Sequence, residues 1–190
     1  LKDKDNSLTL RIAGDGPAGQ VVCVSDYAGN VRGYAENPSA ELAPNSFGKL
    51  DVGGAIGKGS LYVIKDLGMN EPYVGVSNLV SGEIGDDVTE YFAVSEQTPS
   101  VCALGVRVDK DFKCVAAGGF LLQLLPGADE ETCSIIEENI SKITSVSKMI
   151  ENGISAEGIF DIVFDKIGYD IFDEFDTEYR CTCKREKYLT

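Results

Sequence analysis

The sequence predicts an α+β protein in which a β-rich part precedes a helical part. In the first part, Leu8, Leu10 and Ile12 alternate with polar residues, which is the period of a half-buried strand. After Pro126 the apolar residues recur every three or four positions, as they do along one face of a helix. Glycine makes up 21 of the 190 residues, which favours a fold with many turns. Strands that precede helices, rather than alternating with them, indicate the α+β class.

Further strands are predicted where short apolar runs are bounded by turn residues. A polar turn at Asp109, Lys110 and Asp111 separates the last two runs, so these are expected to form a hairpin. In the first strand of that hairpin, one face is expected to belong to the core, and it carries Cys102, Leu104, Val106 and Val108. The predicted strands after the first cover residues 20–27, 60–64, 91–95, 101–108 and 113–117.

Two amphipathic helices are predicted after Pro126-Gly127. The first runs from about Asp129 to Asn152-Gly153, because acidic residues suit a helix start and glycine suits a helix end. Its apolar face is formed by Cys133, Ile136, Ile140, Ile143 and Ile150. Ser155 is expected to cap a second, shorter helix. The apolar face of that helix carries Ile159, Phe160, Val163, Phe164 and Ile167.

Composition excludes several classes of partner. The net charge of −14 repels phosphate groups, so we expect neither nucleic acid nor an anionic membrane as a partner. No run approaches the roughly 20 apolar residues that span a bilayer, and no signal peptide is visible. The six cysteines lack the dense, regular spacing of a secreted disulfide scaffold. A cytoplasmic location is therefore expected.

The chain contains no histidine, which removes whole classes of active site. Ser-His-Asp and Cys-His nucleophilic catalysis are excluded within this chain, as are zinc sites that need histidine ligands. Carboxylates are abundant, for instance Asp86-Asp87 and residues 129–131. Because Asp and Glu are mostly exposed in proteins, we interpret these clusters as solvated surface rather than as acid and base catalysts.

Two glycine-rich segments resemble phosphate-binding motifs. Gly14-x-Gly16-x-x-Gly19 matches the dinucleotide-binding pattern, but a run of valines follows it where the motif requires a helix. A strand-turn-strand hairpin is the better interpretation. Gly57-Lys58-Gly59-Ser60 lacks the first glycine and the Lys-Ser/Thr step of a phosphate loop. We expect the glycines from 53 to 59 to form turns.

The cysteines fall into two groups. Cys23, Cys102, Cys114 and Cys133 lie on apolar sides of predicted strands or helices, and we interpret them as small core residues. Cys181 and Cys183 instead lie in a polar segment beside Arg180, Lys184 and Arg185, whose positive charge favours thiolate. A C-x-C pair can be half of a metal-thiolate centre or a redox couple, or it can be two incidental cysteines. The spacing leaves these alternatives open.

A series of ordered motifs resembles the Hsp33 family, the redox-regulated bacterial chaperones, over almost the whole chain. In chain order these motifs include Leu8-Thr-Leu-Arg-Ile12, Gly14-Asp-Gly-Pro17, Val31-Arg-Gly-Tyr34, Gly48-Lys-Leu-Asp-Val-Gly53, Glu71-Pro-Tyr73, Tyr91-Phe-Ala-Val-Ser-Glu-Gln-Thr-Pro-Ser100, Ala116-Ala-Gly-Gly-Phe120 and Arg180-Cys-Thr-Cys-Lys-Arg-Glu186.

The resemblance implies three parts of the chain. These are an α+β chaperone core at 1–125, a helical linker at 126–176, and the beginning of a small C-terminal zinc and redox-switch domain at 177–190. The family has a further strand and helix before residue 1. It holds Zn²⁺ with a C-x-C pair, matched here by Cys181 and Cys183, and with a C-x-x-C pair expected beyond residue 190.

The resemblance also implies a function. It is that of an ATP-independent holdase, not an enzyme, which binds unfolding client proteins when its zinc-bound cysteines are oxidised to disulfides under oxidative stress. A homodimer is expected in the activated state. Two alternatives stay open: a zinc-binding chaperone that is constitutively active, and a thiol oxidoreductase that uses Cys181 and Cys183 as its active pair.

Overall fold

The computed structural model describes residues 1, 3–46, 48–111 and 113–181, and it confirms the α+β class. Within these ranges the chain forms two compact units. The first unit is Leu1–Glu83 with the described part of 173–190, and the second is Ile84–Phe172. The domain boundaries expected after residues 125 and 176 rest on family resemblance and stay a prediction. None of the described helices has the length and hydropathy that crossing a membrane requires.

Strands and helices follow one another along the chain without a simple repeat. In order they are β1 (Ser7–Gly14), β2 (Gln20–Asp26), β3 (Asn30–Ala35), α1 (Val52–Ile56), β4 (Gly59–Asp66), β5 (Tyr73–Asn78), α2 (Ile84–Val94), β6 (Ser100–Val108), β7 (Cys114–Gln123), α3 (Glu130–Ser141), α4 (Val146–Glu151), α5 (Ala156–Val163) and β8 (Glu178–Tyr179).

A six-stranded sheet forms the first unit, with the strand order β5-β4-β1-β2-β3-β8. Neighbouring strands are antiparallel, except that β8 runs parallel to β3. The strand predicted from the sequence of β1 is confirmed, and its residue Ile12 is buried beside its partner Leu61 on β4. Val63 and the α1 residue Ile56 are also buried, so the core of this unit lies at β1, β4 and α1.

The glycine-rich turn between β1 and β2 forms the predicted hairpin and donates hydrogen bonds to α1. The amide of Gly16 donates to the carbonyl of Ile56 at 2.8 Å, and the amide of Ala18 donates to the carbonyl of Ala55 at 2.9 Å. A Cβ at Gly14 would collide with the Ile56 carbonyl, so glycine permits this close approach. The expectation that the glycines from 53 to 59 form only turns was wrong, because the Asp51 side chain caps α1 there.

In the second unit, the β6–β7 hairpin packs against short helices. Part of its core is a cluster of three buried residues, Val146, Ile159 and Val163, against which Phe120 and Leu122 of β7 pack. The predicted hairpin, its turn near Asp109 and the Ser155 cap of α5 are confirmed. These helices are six to twelve residues long, so their stability depends on packing rather than on intrinsic propensity.

Two secondary-structure predictions in this unit were wrong. Residues 91–95 belong mainly to α2 and form no strand. The helix begins at Ile84, and a stretch of five residues near its end is too short to show the helical period. The single helix predicted from Asp129 is two helices. Ser145 divides them, because its hydroxyl accepts the Lys148 amide and caps α4 after α3 has ended.

The core face expected for β6 was wrong for two of its four residues, because Cys102 and Val108 are half-buried but Leu104 and Val106 are not. Leu104 and Val106 are exposed, whereas Ala103 on the opposite face packs on the core cluster. The reason is the close approach of α4, which small residues permit. A Cβ at Gly105 would come within 2.6 Å of the Ser147 amide nitrogen, so the helix lies on the glycine side of the strand.

We predict that Gly105→Ala destabilises the second unit by about 1–3 kcal/mol, the usual cost of overpacking. The added methyl group would press on the backbone of Ser147, which cannot move without shifting α4. Gly118→Ala is the matched control, because Gly118 is paired with Gly105 and its Cβ would meet only the end of the Ile150 side chain. Urea denaturation of both variants checks this, and equal losses would contradict it.

Candidate functional site

The candidate site is the segment from Tyr169 to Cys181. Tyr169 ends the helical part, and its hydroxyl donates to Asp161 at 2.8 Å while its ring contacts Phe160 and Phe164. The hydrogen bond to Asp161 raises the pKa of Tyr169 above its ordinary value. The acidic and aromatic residues that follow have no regular structure up to β8, and their largest side chains are exposed, with Phe172 at 90%.

Strand β8 fixes the end of this segment to the sheet. Glu178 and Tyr179 pair with Asn30 and Val31 of β3, and the Arg180 amide donates to the Val31 carbonyl at 2.9 Å. The Tyr179 hydroxyl adds a hydrogen bond to the Gly33 carbonyl at 3.3 Å. Strand β8 was not predicted, because two residues are too few to show a strand period.

Cys181 follows this anchor directly and is exposed. Its neighbour Arg180 forms an ion pair with Glu178, with 3.5 Å between the nitrogen and the oxygen, so part of the expected positive charge is offset by a carboxylate. Cys183, Lys184 and Arg185 lie outside the described residues. Cys181 therefore lies two residues after the end of a docked strand.

The expectation that the other four cysteines belong to the core was wrong in part. Cys23 and Cys114 are exposed, and Cys102 and Cys133 are half-buried. Cys23 lies opposite Gly33, which has no side chain to cover it. Desolvation raises the pKa of the Cys23 thiol, and desolvation with the charge of Asp86 raises that of Cys102. Both shifts disfavour the thiolate, which is the reactive form of cysteine.

The carboxylates of the described residues are possible metal ligands by their chemistry. In the ranges that the structure describes, no cluster of three or more His, Cys, Asp or Glu side chains could hold a metal ion. Asp87 is buried on α2, so the expectation that Asp86-Asp87 is solvated surface was wrong for Asp87. Its position on the inner face of α2, one turn before the buried Tyr91, accounts for this burial.

A buried asparagine, Asn139, joins two helices, and it was not predicted from the sequence. Asn139 of α3 is completely buried, and its side-chain amide donates to the carbonyls of Val163 at 3.2 Å and Asp165 at 2.9 Å. Lys142 donates to the Asn139 side-chain oxygen at 2.9 Å. This amide therefore joins α3 to the end of α5. The sequence offered one sign of this role, namely a polar residue within the apolar period of the helix.

Comparison with known proteins gives a consistent result. The family model described as Hsp33 protein matches residues 1–190. The 33 kDa chaperonin of Clostridium botulinum strain 657 is 47% identical over 188 residues, which are 98% of this chain and 64% of that protein. The 33 kDa chaperonin of Acetivibrio thermocellus is 48% identical over 187 residues, which are 98% of this chain and 63% of that protein.

A solved structure agrees with these relatives. The crystal structure of the 33 kDa chaperonin (heat shock protein 33 homolog) from Thermotoga maritima has a TM-score of 0.90 and 41% identity, and the match covers 99% of this chain and 64% of that one. This chain thus spans less than two thirds of the length of these relatives. They are named as chaperonins, which agrees with the prediction of a chaperone family rather than an enzyme family. The whole-chain family match, the sequence identity and the shared fold show that this chain belongs to the Hsp33 family.

Proposed function

We propose that the full-length protein is an ATP-independent holdase that is activated when the cysteines of a zinc centre are oxidised. Family membership supports the chaperone part of this proposal. The observation that carries the redox part is Cys181, an exposed cysteine of a C-x-C pair, which directly follows the anchored strand β8. Oxidants can reach such a thiol, and a chemical change there occurs beside the end of the linker.

The donor chemistry of the C-x-C pair fits zinc. Cys181 and Cys183 would supply two thiolates, the ligands that structural Zn²⁺ sites prefer, and two further ligands would have to come from outside the described residues. When bound, Zn²⁺ would contribute folding free energy to the small domain that begins at about residue 177. The thiols of this chain would hold that domain folded only while they are reduced.

Oxidation would remove these ligands. Peroxide can oxidise the Cys181 and Cys183 thiols to a disulfide, a step in which the two thiols lose two electrons and two protons and peroxide is reduced to two water molecules. We expect the linker at 126–176 to lose stability next, because its helices are short and depend on packing. The apolar side chains released from it would bind unfolding client proteins.

The proposal includes partners and a location. Clients are polypeptides that have lost their native fold, and the activated protein is expected to form a homodimer in the cytoplasm. We do not expect nucleic acid or membrane as partners, since the chain carries a net charge of −14.

The test uses the full-length protein, purified in the reduced state. We expect zinc release during peroxide treatment at raised temperature to coincide with a gain in the suppression of client aggregation. A colorimetric chelator follows the zinc, and light scattering follows the aggregation. Suppression that exists before treatment and does not change would identify a constitutive zinc-binding chaperone. Repeated turnover of a disulfide substrate would identify a thiol oxidoreductase, because a switch changes state once and does not turn over.

A further inference from the structure

The two edges of the six-stranded sheet differ in a way that bears on client binding. At one edge, β8 covers part of β3, and Glu178 and Arg180 add charges beside it. At the other edge lies β5, and within the described chain only β4 pairs with it. Natural proteins usually protect an edge strand with charges, proline, a bulge or a covering segment. The β5 strand itself, Tyr73–Asn78, contains no charged residue and no proline.

The hydrogen-bonding pattern shows which backbone groups of β5 point away from the sheet. The Leu79 amide donates to the Gly59 carbonyl at 2.9 Å, so this pair is of the hydrogen-bonded kind. Because hydrogen-bonded pairs alternate along an antiparallel ladder, the backbone groups of Val74, Val76 and Asn78 face outward. No backbone or side-chain hydrogen bond joins these outward groups to another described element.

Apolar side chains predominate along this edge, and one charged group, the Lys65 ammonium, lies 5.4 Å from the centre of the Tyr73 ring at the start of β5. Six large apolar side chains between residues 67 and 80 are exposed, namely Leu67, Met69, Tyr73, Val74, Val76 and Val80. Glu71 is the only charged residue in that stretch, in a protein whose residues are 25% charged. On the other face of β5, Gly75 and Ser77 are buried, and β4 pairs with the strand along its inner edge. The outer edge thus offers both backbone hydrogen bonds and apolar contacts.

We propose that the outer edge of β5 binds clients by accepting an extended client segment as an additional strand. The outward amides and carbonyls require a partner with an extended backbone, which an unfolding polypeptide offers and a folded surface rarely does. The net charge of −14 repels acidic segments, so the preferred segment is uncharged or basic and rich in β-branched and aromatic residues. The length of β5 suits a segment of about six residues, roughly 20 Å at the usual strand rise.

This inference rests on the proposed chaperone function, and its test separates the two. The full-length protein is activated with peroxide, and two readouts are taken: suppression of aggregation of chemically denatured luciferase, and binding of a fluorescent eight-residue peptide of alternating valine and threonine. Val76→Pro removes an outward amide and leaves the bonds to β4 intact, so the variant should fold. Val74→Lys is a second variant that places a charge at the edge. Val106→Lys is the matched control on an exposed valine of β6.

We expect both β5 variants to bind the peptide at least about tenfold more weakly and to suppress less aggregation, while Val106→Lys behaves as the wild type. Methylating alternate backbone amides of the peptide should likewise abolish binding, because the contact is made through the backbone. Unchanged binding by the β5 variants, or an equal loss in the β6 control, would overturn the inference. The inference would also be overturned if the β5 variants lost self-association but still suppressed client aggregation, because the edge would then join two copies of the chain. An inactive wild type would instead refute the proposed function.

Discussion

Replacing Cys181 with serine should remove zinc from the reduced full-length protein. A serine hydroxyl is a poor ligand for Zn²⁺ compared with a thiolate, and structural sites need all four ligands. Because zinc binding is worth about 10–16 kcal/mol to small zinc domains at neutral pH, losing one ligand should leave the domain that begins at about residue 177 unfolded. The variant should therefore bind clients without peroxide.

The measurement for Cys181→Ser is the zinc content by atomic absorption, together with aggregation suppression before and after peroxide. Cys23→Ser is the matched control, because Cys23 is also exposed but lies on β2, within the sheet. It should keep one zinc ion per chain and an unchanged response to peroxide. A Cys181→Ser protein that retains its zinc would show that the C-x-C pair is not part of the metal site. Zinc loss with no change in activity would favour a purely structural centre.

Replacing Asn139 with alanine should destabilise the second unit by about 1–3 kcal/mol, the usual cost of leaving a buried carbonyl without a donor. The Asn139 side chain donates to the carbonyls of Val163, which is buried, and of Asp165, which is exposed and can bond to water instead. Asn139→Asp keeps the shape but replaces the donor with a carboxylate oxygen, which these carbonyls repel. We therefore expect Asn139→Asp to be the more damaging of the two substitutions.

Urea denaturation followed by circular dichroism measures this loss, with Glu137→Ala as the control on the exposed side of the same helix. Under the proposed function, the Asn139 variants should also suppress client aggregation at peroxide concentrations too low to activate the wild type. A loss of stability below about 0.5 kcal/mol, the range of ordinary surface substitutions, would show that the Asn139 hydrogen bonds are not important for α3 and α5.

Much of the fold could be predicted because local chemistry decides it. The alternation at Leu8, Leu10 and Ile12 identified β1, and Ser155 identified the start of α5. The helical signal near Tyr91 was missed, because a short apolar run is compatible with either a strand or a helix. Ser145 divides a continuous apolar pattern into α3 and α4. The division arises because the Ser145 hydroxyl accepts the Lys148 amide, in competition with the hydrogen bonding of a continuous helix.

By itself, the sequence determined the α+β class, the family resemblance and the candidate pair Cys181 and Cys183, because each of these is contained in residue order and spacing. Tertiary structure alone decided which face of β6 is covered, since α4 approaches on the side where Gly105 has no side chain. It also decided that β8 anchors the chain just before Cys181, and that β5 lies at an edge of the sheet that the described residues form. The physical reason is that burial and edge exposure depend on which elements meet, and residues far apart in the chain decide that together.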